Sequence, residues 1–454
     1  MFISQLRSIT FVVVGTIFVT ALFVQFGYSQ QKMDSIAKQQ AMSMLKNVRN
    51  AILKDYYDPT FGGKDVEGRF KQAEEKLKAA ETLGQAFAII AQAVVDLNDS
   101  HTRFYPPARP MITEYGWRMK VIGEKVFITG LKEKSDAEAK GLKIGDEVLK
   151  INGFRPSRSE MWKMLYYYQV LSPQPKLNME VMGTDGAVKQ LTIESKITTL
   201  KRIVDLNNTH DLNESVREGA RLRKVDMHYF KEIGDTLIWK MPDFVFDPND
   251  VDMFMGRTDG KKTLILDLRG NGGGYVVTLE RLAGYFFDKD VKIADLKGRK
   301  PMDPQMAKSR GAKVFKGNVI VLVDSESGSA AEIFARLMQI EKRGTVLGDV
   351  SAGAVMQSRG VSLDVGVSTI ISYGLNLTNA DVIMTDGKSL EHIGVKPDEL
   401  ILLTGQQIAD RSDPVLARAL ELSGNKVDAP TAGKFFPVEP FIERRTNIAI
   451  SVDD

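Results

Sequence analysis

Thr263-Leu-Ile-Leu-Asp-Leu-Arg-Gly-Asn-Gly-Gly-Gly274 and Val319-Ile-Val-Leu-Val-Asp-Ser-Glu-Ser-Gly-Ser-Ala-Ala-Glu332 decide the fold. Each is an unbroken apolar run, then a loop, then a helical pattern, over Tyr275 to Phe287 and about Ala330 to Glu341. Uninterrupted β-branched strands followed by helices are what a parallel sheet buried on both faces requires. In such a sheet both turns lie at the C-terminal edge, where α/β proteins place their ligands. The glycines let a carbonyl approach bare backbone amides. Ser329 stands at the first turn of a helix, where unpaired N–H groups and the helix dipole favour developing negative charge. A hydroxyl nucleophile there suits acyl transfer. Each fragment also has a plainer reading. Ser329 and Glu332 form a capping box, and the glycines make a tight turn or a phosphate cradle, although the Walker lysine and the GxGxxG spacing are absent.

Upstream, apolar residues recur at helical spacing in Ala41, Met44, Leu45, Val48, Ala51 and Ile52, and again in Leu83, Ala86, Phe87, Ile90, Val94 and Leu97. Asn98-Asp-Ser-His-Thr102 breaks the pattern, and Pro106, Pro107 and Pro110 suggest a linker. From about 112 the texture changes to short strands: Lys120 to Leu131, Glu147 to Ile151, and a hairpin of Leu177 to Val181 with Val188 to Ile193. Glu160 to Leu171 reads as an aromatic-rich helix, residues 197 to 235 are polar, and the last thirty residues read as a surface tail. The division is 1–31, 32–110 (helical), 111–197 (β-rich), 198–424 (α/β core) and 425–454 (tail), a multidomain α+β protein; 454 residues exceed one core.

The first segment has no charged residue between Arg7 and Lys32, an apolar stretch from Phe11 to Val24, and small residues at its exit. It reads as a secretory signal or an uncleaved anchor through residues 8–28, so the rest of the chain is expected outside the cytoplasm, in the periplasm for example. Sixty-one basic and 58 acidic side chains nearly balance, to a net +3, which gives no electrostatic case for nucleic acid. With no cysteine, disulfides, thiol catalysis and cysteine-ligated zinc are excluded. No metal or cofactor is expected.

A serine nucleophile needs a base. The four histidines are His101, His210, His228 and His392. The middle two lie in polar connecting sequence. The pattern by itself leaves His101 and His392 open.

Taken in order, Asp267-Leu-Arg-Gly-Asn-Gly-Gly-Gly274, Leu322-Val-Asp-Ser-Glu-Ser-Gly-Ser-Ala-Ala-Glu332 and Gly394-Val-Lys-Pro-Asp398 resemble the carboxyl-terminal processing (tail-specific) serine peptidases. Asp136-Ala-Glu-Ala-Lys-Gly-Leu-Lys-Ile-Gly-Asp-Glu-Val-Leu-Lys-Ile-Asn-Gly153 is similar to the core of the PDZ domain those enzymes carry, and Asp413-Pro-Val-Leu416 extends the likeness. The resemblance implies a crotonase/ClpP-like core, with Ser329 as nucleophile and an oxyanion hole from Ala330 and Gly273. Ser325 and Ser327 are then structural. The tail-specific branch uses a lysine base in a segment that here reads Gly348-Asp-Val-Ser-Ala-Gly-Ala-Val-Met-Gln357, without lysine. A Ser-Lys dyad is therefore ruled out, and Gln357 loses the partner it would assist. The segment is similar instead to the tricorn-core branch, in which a histidine preceded by serine relays to a glutamate. That resemblance selects His101 as base, Ser100 as its orienter and Glu391 as the charged partner, with His392 incidental.

The PDZ likeness implies capture of a peptide C-terminus by strand addition near Gly116, Trp117 and Arg118. Together these imply a serine endopeptidase acting through an acyl-enzyme on exported or misfolded polypeptides or their C-termini. Two rivals are a catalytically silent PDZ-type peptide-binding protein and a different acyl-transfer enzyme.

Overall fold

The computed structural model describes residues 32–109, 111–199, 227–366 and 370–437. The signal or anchor reading of residues 1–31 and His210 lie outside them. No helix among the described residues is long and apolar enough to cross a membrane.

Three helices open the described chain: α1 (Ser35–Asp55), α2 (Val66–Ala79) and α3 (Leu83–Val95). Their starts follow from local chemistry. Asp34 Oδ1 accepts from Ala37 N at 2.7 Å, Asp65 caps α2, and Thr82 with Gln85 makes a capping box on α3. Met44, Val48, Ile52, Phe70, Leu77, Phe87, Ile90 and Val94 point inward as the helical spacing demands, and share a core with Phe104, Leu375 and Leu377. After α3 the chain turns through residues 96–102 into β1 (Arg103–Tyr105), then β2 (Met111–Glu114).

A small antiparallel sheet follows: β3 (Trp117–Ile122), β4 (Lys125–Leu131), β5 (Glu147–Ile151), β6 (Lys176–Met182) and β7 (Val188–Glu194), hydrogen-bonded in that order. The expected strand over 120–131 is two strands, because Gly123, at φ 58°, turns the chain sharply between them. The expected helix over 160–171 is α5 (Met161–Leu165) running into a wider turn over Tyr166–Leu171; α4 (Asp136–Ala139) precedes it. β8 (Lys196–Thr199) returns to pair with β2.

The core contains β9 (Tyr229–Ile233), β10 (Thr236–Lys240), α6 (Asp250–Met255), β11 (Thr263–Asp267), α7 (Val276–Ala283), β12 (Val291–Gly298), β13 (Gln305–Ala307), β14 (Asn318–Val323), α8 (Ala330–Ile340), β15 (Thr345–Gly348), β16 (Met356–Val365), β17 (Ile371–Met384), β18 (Glu399–Leu400), α9 (Gly405–Ala409) and α10 (Pro414–Leu422). Strands β18-β15-β14-β11-β10 run parallel, with β9 antiparallel at the edge. Every residue of β11 is buried. Leu264, Leu266, Val321 and Val323 face α7 and α8, while Ile265, Ile320 and Leu322 face α10, which is the two-sided burial the apolar runs predict.

The second core sheet, β1-β17-β12-β13 with β16 on β17, is antiparallel and is absent from the sequence reading. Its long β16–β17 hairpin alternates apolar residues with exposed serine, arginine and aspartate, and no compact apolar run marks it. It matters because β1 pairs with β17 and so fixes the chain just after His101.

Candidate active site

Ser329 closes the turn between β14 and α8 with φ 51° and ψ −119°, a backbone region that strains any side chain. The strain is held by neighbours. Ser329 N donates to Ala354 O at 2.9 Å and to Glu332 Oε2 at 3.1 Å, so the expected reach of Glu332 back to residue 329 is present. Across the turn lies Gly273, at φ 99°. A Cβ there would stand 2.6 Å from Ser329 Cβ and 3.0 Å from Ala330 N, so only glycine fits.

The amides around this hydroxyl differ from expectation in one respect. Ala330 N, at the first helical position, has no acceptor among the described residues. Gly273 N, expected as the second oxyanion donor, is already given to Asn271 Oδ1 at 2.9 Å. Asn271 is held in that pose by donating from Nδ2 to Met241 O at 3.1 Å. Gly273 therefore serves by having no side chain, and the neighbouring exposed Gly272 carries the N–H without an acceptor among the described residues. Ser327 is fully buried and donates to Leu268 O at 2.7 Å, and Ser325 Oγ donates to Val121 O. Both are engaged in structure, as the sequence reading has them.

His101, Ser100 and Glu391 are brought together. Ser100 Oγ lies 2.7 Å from His101 Nδ1 and 2.8 Å from Glu391 Oε2, and Ser100 N donates to Glu391 Oε1 at 2.6 Å. A hydroxyl has one proton. Because Ser100 gives it to the carboxylate, it must accept from Nδ1–H, which leaves the Nε2 lone pair as the basic face of the ring. Ser329 Oγ and His101 share no hydrogen bond in this resting arrangement, as is common before substrate binds. Burial holds the His101 imidazole down, to about 4, against the upward pull of Asp99, while Arg103 adds to the depression. Burial raises the Glu391 carboxyl, opposed by its bonds from Val355 N and Ser100.

One segment, Ser351–Val355, joins the two halves. Ala354 O holds Ser329 N, and Val355 N donates to Glu391 Oε2 at 2.8 Å. Glu332, fully buried on α8, grips the same segment: its carboxylate accepts from Ser351 Oγ at 2.5 Å, Gly353 N at 2.7 Å and Ala354 N at 2.9 Å. Burial pushes its carboxyl up to about 7 despite those donors. The sequence reading gives Glu332 only a capping role. Its function as the anchor of a distant loop has no local signature. Arg269 is a second such residue, forked onto Asp267 and onto Asp413 at the start of α10, which pins the glycine loop.

His392 borders this cluster: it adopts φ 61°, and its Nε2 lies 2.8 Å from Asn98 O and 3.6 Å from Glu391 Oε1. His228 accepts from Trp239 Nε1 at 3.1 Å. Gln357 lies near the start of β16, paired with Ala380. In the small domain, Gly116 has φ 78° and Trp117 begins the edge strand β3, but the Trp117 side chain packs into that domain's core beside Tyr115. Any peptide contact at 117 is therefore through its backbone. Arg118 lies alongside Gly130.

Residues 237–401, which span both turns and Glu391, match the model of peptidase family S41. This is a serine-type peptidase. The chain is 23% identical over 401 residues to a probable CtpA-like serine protease of Staphylococcus aureus, covering 86% of this chain and 71% of that protein. It is 23% identical over 356 residues to the chloroplastic carboxyl-terminal-processing peptidase 1 of Arabidopsis thaliana, covering 75% and 68%. Among solved structures, mature CPAF complexed with lactacystin superposes with a TM-score of 0.62 at 14% identity, over 83% of this chain and 96% of that one, a likeness of fold. The segment preceding residue 237, which carries His101 and Ser100, lies outside the family match.

Proposed function

We propose that this peptidase hydrolyses peptide bonds through an acyl-enzyme on Ser329, with His101 as general base and acid, in the manner of the tricorn-core branch. The observation that carries the reading is the Glu391–Ser100–His101 relay, in which Ser100 and Glu391 lie 291 residues apart in the chain. In this mechanism His101 Nε2 takes the Ser329 proton as Oγ attacks the scissile carbonyl, then returns it to the leaving amine. Glu391, acting through Ser100, stabilises the imidazolium. The tetrahedral oxyanion is met by Ala330 N–H, with Gly272 as the candidate second donor. Burial disfavours the imidazolium of His101, and Glu391, acting through Ser100, offsets that cost as the proton is taken up.

The 111–197 block is read as a PDZ-like module that receives a peptide strand along the β3 edge, the substrates being exported or misfolded polypeptides or their C-termini. The core is read as crotonase/ClpP-like, and residues 1–31 as an export signal or anchor.

The test is cleavage of unstructured polypeptides by the full chain, beside labelling with a serine-directed phosphonate. Ser329→Ala and His101→Ala should each lower turnover by on the order of 10⁶-fold, whereas Ser327→Ala should retain labelling at Ser329. Cleavage by Ser329→Ala equal to wild type would move the nucleophile elsewhere.

A further inference from the structure

Asp99 is buried, 5% exposed, and faces the turn that presents His101. Its Oδ1 accepts three hydrogen bonds: from His101 N at 2.9 Å, from Thr102 N at 2.6 Å and from Thr378 Oγ1 at 2.6 Å. The first two wrap the backbone of the base around the carboxylate. The third ties that turn to β17. Thr102 Oγ1 donates to Thr378 Oγ1 at 3.0 Å, and Asn376 Nδ2 donates to His101 O at 2.9 Å, so β17 holds the base from both sides of its peptide. The side chains of the Ser329 turn and of the Ser100 relay make no bond to this carboxylate, and a short polar turn could form without burying a charge.

We propose that Asp99 is a positioning residue of this active site: it fixes the backbone that presents His101, and its charge is a second anionic partner of the imidazole beside Glu391. The inference rests on His101 being the base. The two carboxylates divide the work by geometry. Glu391 reaches the ring only through Ser100 and so sets the tautomer, while Asp99 sets where the ring is presented and acts on its protonation through space. The other groups around the turn are Arg103 at the start of β1, Lys64 before α2, whose Nζ donates to Asp96 O and Leu97 O, His392 beside Glu391, Tyr56, Tyr57 and Asp58 at the end of α1, and Asp381 on β17. Asp99 pulls the imidazole up and Arg103 pushes it down, beside the larger effect of burial. Tyr56, itself buried, is raised by that burial and then by the Asp99 charge, and cannot neutralise it.

The experiment follows the imidazole signals of the full-length protein by NMR against pH, with His101 assigned by its loss in His101→Gln. Asp99→Asn keeps an acceptor oxygen and removes the charge. It should lower the His101 midpoint by about one pH unit, and Arg103→Met should raise it. Thr378→Val, which removes only the tie to β17, should leave the midpoint where it is. Phosphonate labelling of Ser329 should slow roughly 10²-fold in Asp99→Ala, where the turn is unsupported, and less in Asp99→Asn. If Asp99→Asn does not fold, Asp99→Ser supplies a neutral acceptor for the same comparison. A midpoint unmoved by loss of the charge overturns the assignment of Asp99 and leaves the peptidase reading intact. Failure of the wild type to label at Ser329 sinks the peptidase reading, while the titration still decides what Asp99 does to its neighbour.

Discussion

At the scale of single residues, the site depends on groups that have no freedom to change. A methyl on Gly273 would overlap Ser329 Cβ at 2.6 Å and would also have to tolerate φ 99°. Gly273→Ala should therefore lower turnover by on the order of 10²-fold by displacing the hydroxyl, and thermal melts will show whether the fold itself survives. The titration of His101 gives a second expectation. The proposed base works only when neutral, and burial holds this imidazole at about 4 rather than 6.5. The acid limb of kcat/KM should accordingly lie well below the ordinary histidine range, with activity persisting at about pH 5.5. The linkage has the same sign: a depressed group stabilises the fold above its unfolded value and loses that contribution as pH falls from 6.5 toward 4. His101→Gln should remove that part of the acid destabilisation. An acid limb centred near 6.5, the ordinary value, would show that the ring is solvated in the working enzyme.

Among elements, the Ser351–Val355 segment is the part that makes one site out of two halves. Glu332 receives a hydroxyl and two amides from it and the Ser329 amide besides. Glu332→Ala leaves the Ser351 hydroxyl and the Gly353 and Ala354 amides without that acceptor, at about 1–3 kcal/mol each, and should cost at least about 3 kcal/mol of stability in denaturant melts. The carboxyl is raised to about 7 by burial. A raised carboxyl contributes stability fully below its unfolded value, near 4.5, and loses it as pH rises through 7. The gap between wild type and Glu332→Ala should therefore be widest near pH 4.5 and narrow toward neutrality. A gap that widens with pH would mean the carboxylate is ionised throughout.

Over the whole molecule, the small sheet is locked to the two turns of the candidate site by charge. Lys120 on β3 pairs with Asp324 and Glu326 at 2.7 Å each, two residues of the turn that ends in Ser329. Arg158 donates to Gly123 O at 2.9 Å, to Val350 O at 3.0 Å and to Asp349 Oδ2 at 2.7 Å, bridging the β3–β4 turn to the segment before Ser351. Asp324 in turn accepts from Gly270 N at 2.9 Å, so the same carboxylate touches the glycine loop. Lys120→Met should strand that mostly buried charge and cost about 2 kcal/mol or more. A cycle with Asp324→Asn should recover part of the loss. Independent effects on melting and on turnover would show that the small domain and the nucleophile turn are not coupled through this pair.

The two apolar runs at 263–268 and 319–323 were enough to specify a parallel sheet, because a strand without polar residues on either side is stable only where both faces are covered. The pairing of loops at the sheet's C-terminal edge follows from parallel topology alone, which also places Ser329 at that edge after the second run. The pattern leaves the histidines open; family resemblance supplies His101 as the proposed base, since hydrogen bonds across 291 residues leave no periodicity to read. What the tertiary structure decided was which polar atoms are already spent. It turned the Gly273 amide onto Asn271, sent the Trp117 ring into a core, made Glu332 and Arg269 anchors of segments elsewhere in the chain, and tied the turn of Asp99 to β17. Apolar burial follows local sequence because each side chain needs only to leave water. A buried carboxylate needs particular donors, and only the folded chain determines which ones arrive.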